Sequence, residues 1–230
     1  MAHTSSRMVL PELLDHLPPD DPQALRSRRD LQRIHVVMRT RAMLCDAIAR
    51  LHLERPPASI LELGAGDATL LLHLARKLAP RWPGVTVTVL DRVDLVSSAT
   101  RDGFRALGWP VSVVTADILE WARAEPLERH DLCLTTLFLH HFTEPQLGAI
   151  LAAVAARCRA FVACEPRRDL LTLLGSRCVA MLGSNRITRE DAVTSVVAGF
   201  NGTELTQAWP DPGKAWIVDE SRVFPFTHRF

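Results

Sequence analysis

One stretch, Ser59 to Asp91, constrains what this chain of 230 residues can fold into. It reads Ser-Ile-Leu-Glu-Leu-Gly-Ala-Gly-Asp-Ala-Thr, runs on through a leucine-rich segment, and closes with Val-Thr-Val-Thr-Val-Leu-Asp. The apolar run Ile60 to Leu63 predicts a buried strand, and Gly64 and Gly66 end it in a tight turn. Leu70, Leu71, Leu74 and Leu78 fall at helical spacing, which predicts a helix from Thr69 to Leu78. Val85 to Leu90 is rich in β-branched residues and predicts a second strand, ending on the acid Asp91.

Strand, glycine turn, helix, strand and acid follow in the order of a nucleotide-binding βαβ unit. Glycine turns at positive φ and lets a ligand approach the main chain. The start of the helix offers unpaired N–H groups to whatever lies above the turn. A carboxylate at the tip of the second strand can accept two hydrogen bonds from a ribose diol. Each charge-assisted bond is worth about 1.5–3 kcal/mol, so one acid can decide binding.

A dinucleotide fingerprint requires Gly-x-Gly-x-x-Gly. Here Gly64-Ala65-Gly66-Asp67-Ala68 is followed by Thr69, so the third glycine is missing, while Glu62 stands two residues ahead of the first. The pattern Glu62-x-Gly64-x-Gly66-x-Ala68 resembles the first motif of class I S-adenosylmethionine-dependent methyltransferases, in particular small-molecule enzymes of the quinone and polyketide group. The resemblance runs from about Ala58 to Glu165. It includes Ala116-Asp117-Ile118 after a third strand and His130-Asp131-Leu132-Cys133-Leu134 at a fourth. It implies an α/β, Rossmann-like class I methyltransferase fold, with a mostly parallel seven-stranded sheet, helices on both faces and an antiparallel last strand. It also implies S-adenosyl-L-methionine as cofactor. Gly64, Ala65 and Gly66 would then hold the methionine portion, and Glu62 would order the turn or act indirectly. Asp91 would take the ribose hydroxyls and Asp117 the adenine edge, with Arg92, Ile118 and Thr136 completing the cofactor set.

At this size the chain is one domain with additions, or at most two small ones. Twenty-seven Lys and Arg against 26 Asp and Glu give a net charge of +1, which argues against a protein built to hold nucleic acid electrostatically. The five cysteines lie mostly in apolar runs with no Cys-x-x-Cys, as free thiols in a reducing cytosol do. No stretch is long enough to span a bilayer, and no signal-like run opens the chain. The expected partner is a small-molecule substrate in the cytoplasm, with room left for a homodimer.

Residues 1 to about 22 are polar and proline-punctuated, with Leu10, Leu13, Leu14 and Leu17 placed for one short amphipathic turn. A long helical pattern follows from Pro22 to Leu53. Leu31, Ile34, Met38, Cys45 and Ile48 share its apolar face, and most of its arginines lie elsewhere. A solvated face is the plain reading of those arginines, and an anion contact the sharper one. By analogy with the family, residues 1–55 form a helical lid ahead of the catalytic domain at 56–230, and His35, Met38 and Arg39 (with Arg33) face the substrate. For His35 a packed core histidine is the plainer alternative. Pro56-Pro57 breaks the pattern. A helix is then expected from about Leu95 to Leu107, a strand at Val111–Thr115, and Asp117 just beyond it. Asp117 can also serve as a helix N-cap.

A fourth strand, Asp131 to Leu137, leads into Phe138-Leu139-His140-His141-Phe142. Two histidines in an apolar mouth suggest a general base, His140 or His141, that takes a hydroxyl proton during methyl transfer. The alternative is that one caps the next helix and the other packs. A metal is not expected, because neighbouring residues rarely aim both rings at one ion and no carboxylate cluster is visible nearby. Phe138, Leu139, Phe142, Met181 and Phe200 would wall the pocket. A helix at Thr143–Arg157 and a fifth strand at Ala160–Cys164 complete the alternation. A helical insert at about 167–202 offers Asn185, Arg186 and Arg189 as polar contacts, Arg186 foremost. Glu204–Trp209 and Ala215–Phe226 read as a closing hairpin around Pro210-Asp211-Pro212-Gly213. These expectations favour O-methylation of a phenolic or polyketide-like acceptor, then C-methylation of a quinone-like ring. An NAD oxidoreductase, a non-catalytic nucleotide-binding module and an RNA methyltransferase are the alternatives.

Overall fold

Side chains on successive strand residues point to opposite faces, and that alternation sorts the core of this protein into two layers. The computed structural model describes residues 6–125, 128–211 and 215–230. Its strands are β1 (Ser59–Leu63), β2 (Thr86–Asp91), β3 (Val111–Thr115), β4 (Leu132–Thr136), β5 (Phe161–Pro166), β6 (Ser221–Val223) and β7 (Thr227–Arg229). The helices are α1 (Pro22–Val37), α2 (Thr40–Arg50), α3 (Thr69–Leu78), α4 (Ser98–Ala106), α5 (Ile118–Arg123), α6 (Glu144–Arg157), α7 (Leu170–Arg177), α8 (Arg186–Ala198) and α9 (Glu204–Ala208). Ile60, Leu132, Leu134, Val162 and Cys164 pack with α2, α3 and α4 on one face. Their sequence neighbours Leu61, Cys133, Phe161 and Ala163 pack with α5, α6 and α9 on the other.

The sheet has the order β3-β2-β1-β4-β5-β7-β6. The first five strands are parallel, and β7 runs antiparallel between β5 and β6. The chain steps outward from β1 through β2 to β3, then restarts on the other side of β1 with β4. That reversal opens a crevice at the carboxyl ends of β1 and β4, where ligands of open α/β sheets bind. The expected fold class is therefore present, including the antiparallel last strand.

Local details differ from the expected pattern. The long N-terminal helix is two helices, broken at Met38 and Arg39, where Arg39 has φ of +56°. The helix expected from Leu95 starts at Ser98, because the Ser97 hydroxyl accepts the Thr100 N–H as an N-cap. Glu204–Trp209 is a helix rather than a strand. Leu205 and Trp209 lie one helical turn apart and bury on the same face, and the Glu220 carboxylate accepts from Leu205 N and Thr206 N at the helix start. Of the long strand expected at Ala215–Phe226, Ser221–Val223 forms β6, and the closing hairpin is β6–β7. The turn expected at Pro210-Asp211-Pro212-Gly213 falls partly outside the described residues.

Candidate active site

The glycine turn sits above β1 with three residues at positive φ: Gly64 at +64°, Gly66 at +55° and Ala68 at +56°. Gly64 N donates to Leu90 O at 2.9 Å, and Gly66 N donates to Asp91 Oδ2 at 2.9 Å, so the tip of β2 is tied to the turn. A Cβ on Gly64 would come within 2.2 Å of the Phe138 ring, whereas one on Gly66 would meet no described atom within 4 Å. The second glycine therefore lies beside open space that a ligand can enter. Asp67 closes the turn by accepting from Thr69 N at 3.0 Å, and Gln32 of α1 reaches across to it at 2.6 Å.

Beneath the turn, Glu62 is 5% exposed. Burial, and then the charges of Asp67 and Asp91, push its carboxyl up to about 8. Its Oε2 has no hydrogen-bond partner among the described residues, and neither does Thr136 Oγ1 at the end of β4. Glu62 pairs with Leu134, two residues before Thr136, so both orphaned groups project from the same face of the sheet. Buried polar atoms without partners are few in native proteins. Two of them beside the glycine turn suit a cofactor that brings an ammonium group and further donors, so the residues present fit S-adenosylmethionine.

Asp117 accepts from Leu119 N at 2.7 Å and Glu120 N at 3.2 Å, and is the N-cap of α5. Ile118 is buried in the core beside α6. Arg92 pairs with Asp15 at 3.0 Å on the rim. His35 shares a hydrogen bond of 3.2 Å with Thr40 and faces Asp67, and burial lowers its pKa to about 4.

After β4 the chain turns through Leu137, whose φ is +51°. Glu165, fully buried at the end of β5, organises this turn. Its Oε1 accepts from Phe138 N at 3.1 Å and Leu139 N at 3.0 Å, and its Oε2 contacts His140 Nδ1 at 2.8 Å. His140 is 2% exposed, and its Nε2 lies 3.3 Å from Glu12 Oε1. Burial alone would lower the His140 pKa, but the two carboxylates raise it to about 9. His141 Nδ1 contacts Phe138 O at 2.9 Å, and its Nε2 lies 3.3 Å from Glu12 Oε2. Burial would raise the Glu12 carboxyl, but hydrogen bonds from both rings hold it well below the usual carboxylate range. The general-base expectation does not fit this geometry, because every ring nitrogen of the pair already faces an acceptor.

Glu12 belongs to a strap, residues 7–17, laid across the carboxyl edge of the sheet. The Arg7 guanidinium donates to the carbonyls of Phe142, Ala198 and His140 and stacks over Phe200. Leu13 N and Leu14 N donate to the Asp191 carboxylate at 2.7 and 3.0 Å. Under the strap lies a cavity of about 320 Å³. Its walls include Leu31, Ile34 and Met38 of α1, Val179 and Met181 beyond α7, and Leu137 at the sheet edge. Glu12, Asp191 and Ser195 lie along the strap side.

Of the six expected substrate residues, Met38 lines this cavity. His35, Arg39, Phe138, Phe142 and Arg186 do not. Arg186 pairs with Glu190 one turn along α8, on the surface. Of the expected apolar walls, Met181 is present, while Leu139 and Phe200 are buried core. Several α1 arginines are engaged within the chain: Arg26 with Gly183 O, Arg28 with Pro19 O and Arg33 with Asp30. Sequence reasoning missed Glu12, Glu165, Asp191 and Asp67. Only Asp67, inside the glycine motif, carried a local signal.

Residues 60–160 match a family described as "Methyltransferase domain". No curated protein sequence matches the chain. Among solved structures, the plantazolicin methyltransferase BpumL in complex with SAH aligns at TM-score 0.60 and 16% identity, covering 82% of this chain and 69% of that one. An O-methyltransferase family protein from Burkholderia thailandensis aligns at TM-score 0.61 and 17% identity, covering 94% and 60%. Magnesium protoporphyrin IX methyltransferase from Synechocystis PCC 6803 with bound SAH aligns at TM-score 0.50 and 15% identity, covering 94% and 88%. The fold is that of class I methyltransferases, and the methyltransferase-domain match covers residues 60–160 at its centre. S-adenosylmethionine-dependent methyl transfer is the activity that the matched domain implies.

Proposed function

We propose that this methyltransferase acts on a small apolar acceptor, phenolic or polyketide-like, with a hydroxyl oxygen as the preferred site and a quinone-like ring carbon second. The observation that carries this reading is the apolar cavity between α1, α7 and α8, which adjoins Leu137 at the carboxyl edge of β4. Its volume of about 320 Å³ is in the range of small-molecule sites. Residues 1–55 and the insert at about 167–202 act together as its lid, since these two segments supply most of its wall. The arginine-rich helix gives no support to an RNA substrate, because its guanidinium groups are largely spent on internal partners.

Bound S-adenosylmethionine supplies an electrophilic methyl group on a sulfonium. The backbone of Gly64, Ala65 and Gly66 would border the methionine portion, and Glu62 would meet its ammonium. Asp91 takes the ribose, and Asp117 and Ile118 border the adenine. Thr136, with its unpartnered hydroxyl, faces the same crevice. The acceptor is held by Ile34, Met38, Val179 and Met181, which exclude water and fix its approach. A hydroxyl proton has Asp191 as its destination on this wall. Burial raises that carboxyl above the ordinary carboxylate range even though two backbone N–H groups stabilise its charge.

Calorimetric titration with S-adenosylhomocysteine, for wild type and Asp91→Ala, tests the cofactor assignment. Wild type should bind, and the variant should bind about a hundredfold more weakly. A panel of phenols and hydroxylated polyketides with radiolabelled methyl donor then tests the acceptor class. Binding of S-adenosylhomocysteine without transfer to any panel member would overturn the acceptor assignment, and no binding would overturn the cofactor assignment.

A further inference from the structure

The cluster of Glu12, His140 and His141 is not used by the methyl-transfer reading, and its atoms are arranged for another ligand. One carboxylate oxygen and two imidazole nitrogens lie within 4.8 Å of one another. Each ring has its other nitrogen already committed. His140 Nδ1 donates to Glu165 Oε2 at 2.8 Å, and His141 Nδ1 donates to the Phe138 carbonyl at 2.9 Å. A carboxylate or backbone carbonyl on the far nitrogen is the partner that metal-ligating histidines carry, because it fixes the tautomer and strengthens the donor atom. The carboxylate is supported in the same way, by the Ser195 hydroxyl on Glu12 Oε1.

The spacing also fits an ion. Both Nε2 atoms stand 3.3 Å from the Glu12 oxygens. A direct charge-assisted N–H···O bond closes to about 2.7–2.9 Å, whereas two ligands of one tetrahedral Zn²⁺ stand about 3.3–3.4 Å apart. Bringing all three atoms to that spacing requires the rings to close by at most about 1.5 Å. Asp15 Oδ2 lies 3.9 Å from His141 Nε2, on the same strap. No carboxylate near the histidines in sequence suggested a metal. Glu12, 128 residues away, supplies it.

We propose that Glu12, His140 and His141 form a binding site for a divalent cation of the Zn²⁺ class, with Asp15 or water as fourth ligand, and that the ion fastens the strap to the sheet edge. Two imidazoles and a carboxylate suit Zn²⁺ rather than Mg²⁺ or Ca²⁺, which take mostly oxygen ligands. The ion takes the Nε2 lone pair of each ring, so it competes with a proton for those atoms.

The test is a calorimetric titration of chelator-treated, full-length protein with Zn²⁺ alone, beside the absorption spectrum of the Co²⁺ form and the rate of limited proteolysis within residues 7–17. Wild type should bind one equivalent, give the intense visible bands of tetrahedral Co²⁺, and resist cleavage of the strap when Zn²⁺ is added. Glu12→Gln and His141→Ala, each checked for folding by circular dichroism, should weaken binding by at least about tenfold and lose the protection. No stoichiometric binding by wild type would overturn the site, as would equal binding by wild type and both folded variants. Binding without protection would overturn the fastening role. None of these readouts involves methyl transfer, so they stand apart from the S-adenosylhomocysteine titration.

Discussion

Glu62→Gln isolates a buried charge that the cofactor is expected to neutralise. Burial, with the charges of Asp67 and Asp91, lifts the Glu62 carboxyl from 4.5 to about 8 in the ligand-free protein. At about 1.36 kcal/mol per pH unit, that rise sets an upper bound of about 5 kcal/mol on the pH-dependent part of stability. The folded chain holds this proton more tightly than the unfolded chain does. The contribution is therefore complete below about pH 4.5 and is lost as pH rises through 8. Glutamine keeps the shape and never ionises. Urea unfolding from pH 5 to pH 9 should show variant and wild type close together at pH 5, with the variant more stable by several kcal/mol at pH 9. With S-adenosylhomocysteine, whose ammonium restores the carboxylate, wild type should release about 0.9 proton on binding at pH 7. Calorimetry in two buffers of different ionisation enthalpy counts that proton, and the variant should release none from this site. Parallel stability curves together with equal proton counts would refute the reasoning.

Three further outcomes follow from the same geometry. Gly64→Ala drives a Cβ into the Phe138 ring at positive φ and should cost more stability than Gly66→Ala, whose Cβ meets no described atom, costs about 1 kcal/mol through its backbone, and enters the space left for the cofactor, so that S-adenosylhomocysteine should bind more weakly; thermal shift and calorimetry separate the two effects, and equal loss of stability would count against the placement of Phe138. Val179→Trp fills the cavity between α1 and α8, so KM for the best acceptor should rise at least about tenfold, or kcat/KM collapse, with S-adenosylhomocysteine affinity unchanged. Arg7→Ala leaves the carbonyls of Phe142 and Ala198 without their charged donor and should cost about 2–3 kcal/mol, seen by hydrogen exchange as faster exchange within residues 7–17.

What was legible in the sequence was what is local or periodic. Thr69–Leu78 and Val111–Thr115 have the expected bounds because a leucine stripe and a β-branched run each define their own period. The Glu-x-Gly-x-Gly turn could be read because its chemistry lies within five residues. Glu204–Trp209 misled because Leu205, Gln207 and Trp209 alternate as a strand would, while Leu205 and Trp209 also fit one helical turn, and tertiary contacts from Glu220 decide between them. The break at Arg39 carried no glycine or proline to announce it. Leu31, Ile34 and Met38 were legible as an apolar face, but a stripe that lines a cavity has the same period as one packed solid. The acids around the histidines come from residues 12, 15 and 165, and no local pattern joins them.

The strap explains why these distant acids belong to one site. Asp191 holds Leu13 N and Leu14 N, Glu12 holds both histidines, and Asp15 reaches Arg92 beyond β2. A single segment therefore borders the apolar cavity on one side and reaches Arg92 beyond β2 on the other. The contacts differ in cost of release. The Arg92–Asp15 pair is solvent-exposed and worth about 0–1 kcal/mol, so Arg92 can leave it with little loss. Breaking the Glu12 contacts exposes a half-buried carboxylate and a buried imidazole together, which costs several kcal/mol. The strap should therefore open at its Asp15 end while staying anchored at Glu12. Hydrogen exchange would show this as S-adenosylhomocysteine changing the protection of residues 15–17 more than that of residues 7–12. The reverse pattern would place the hinge at the other end.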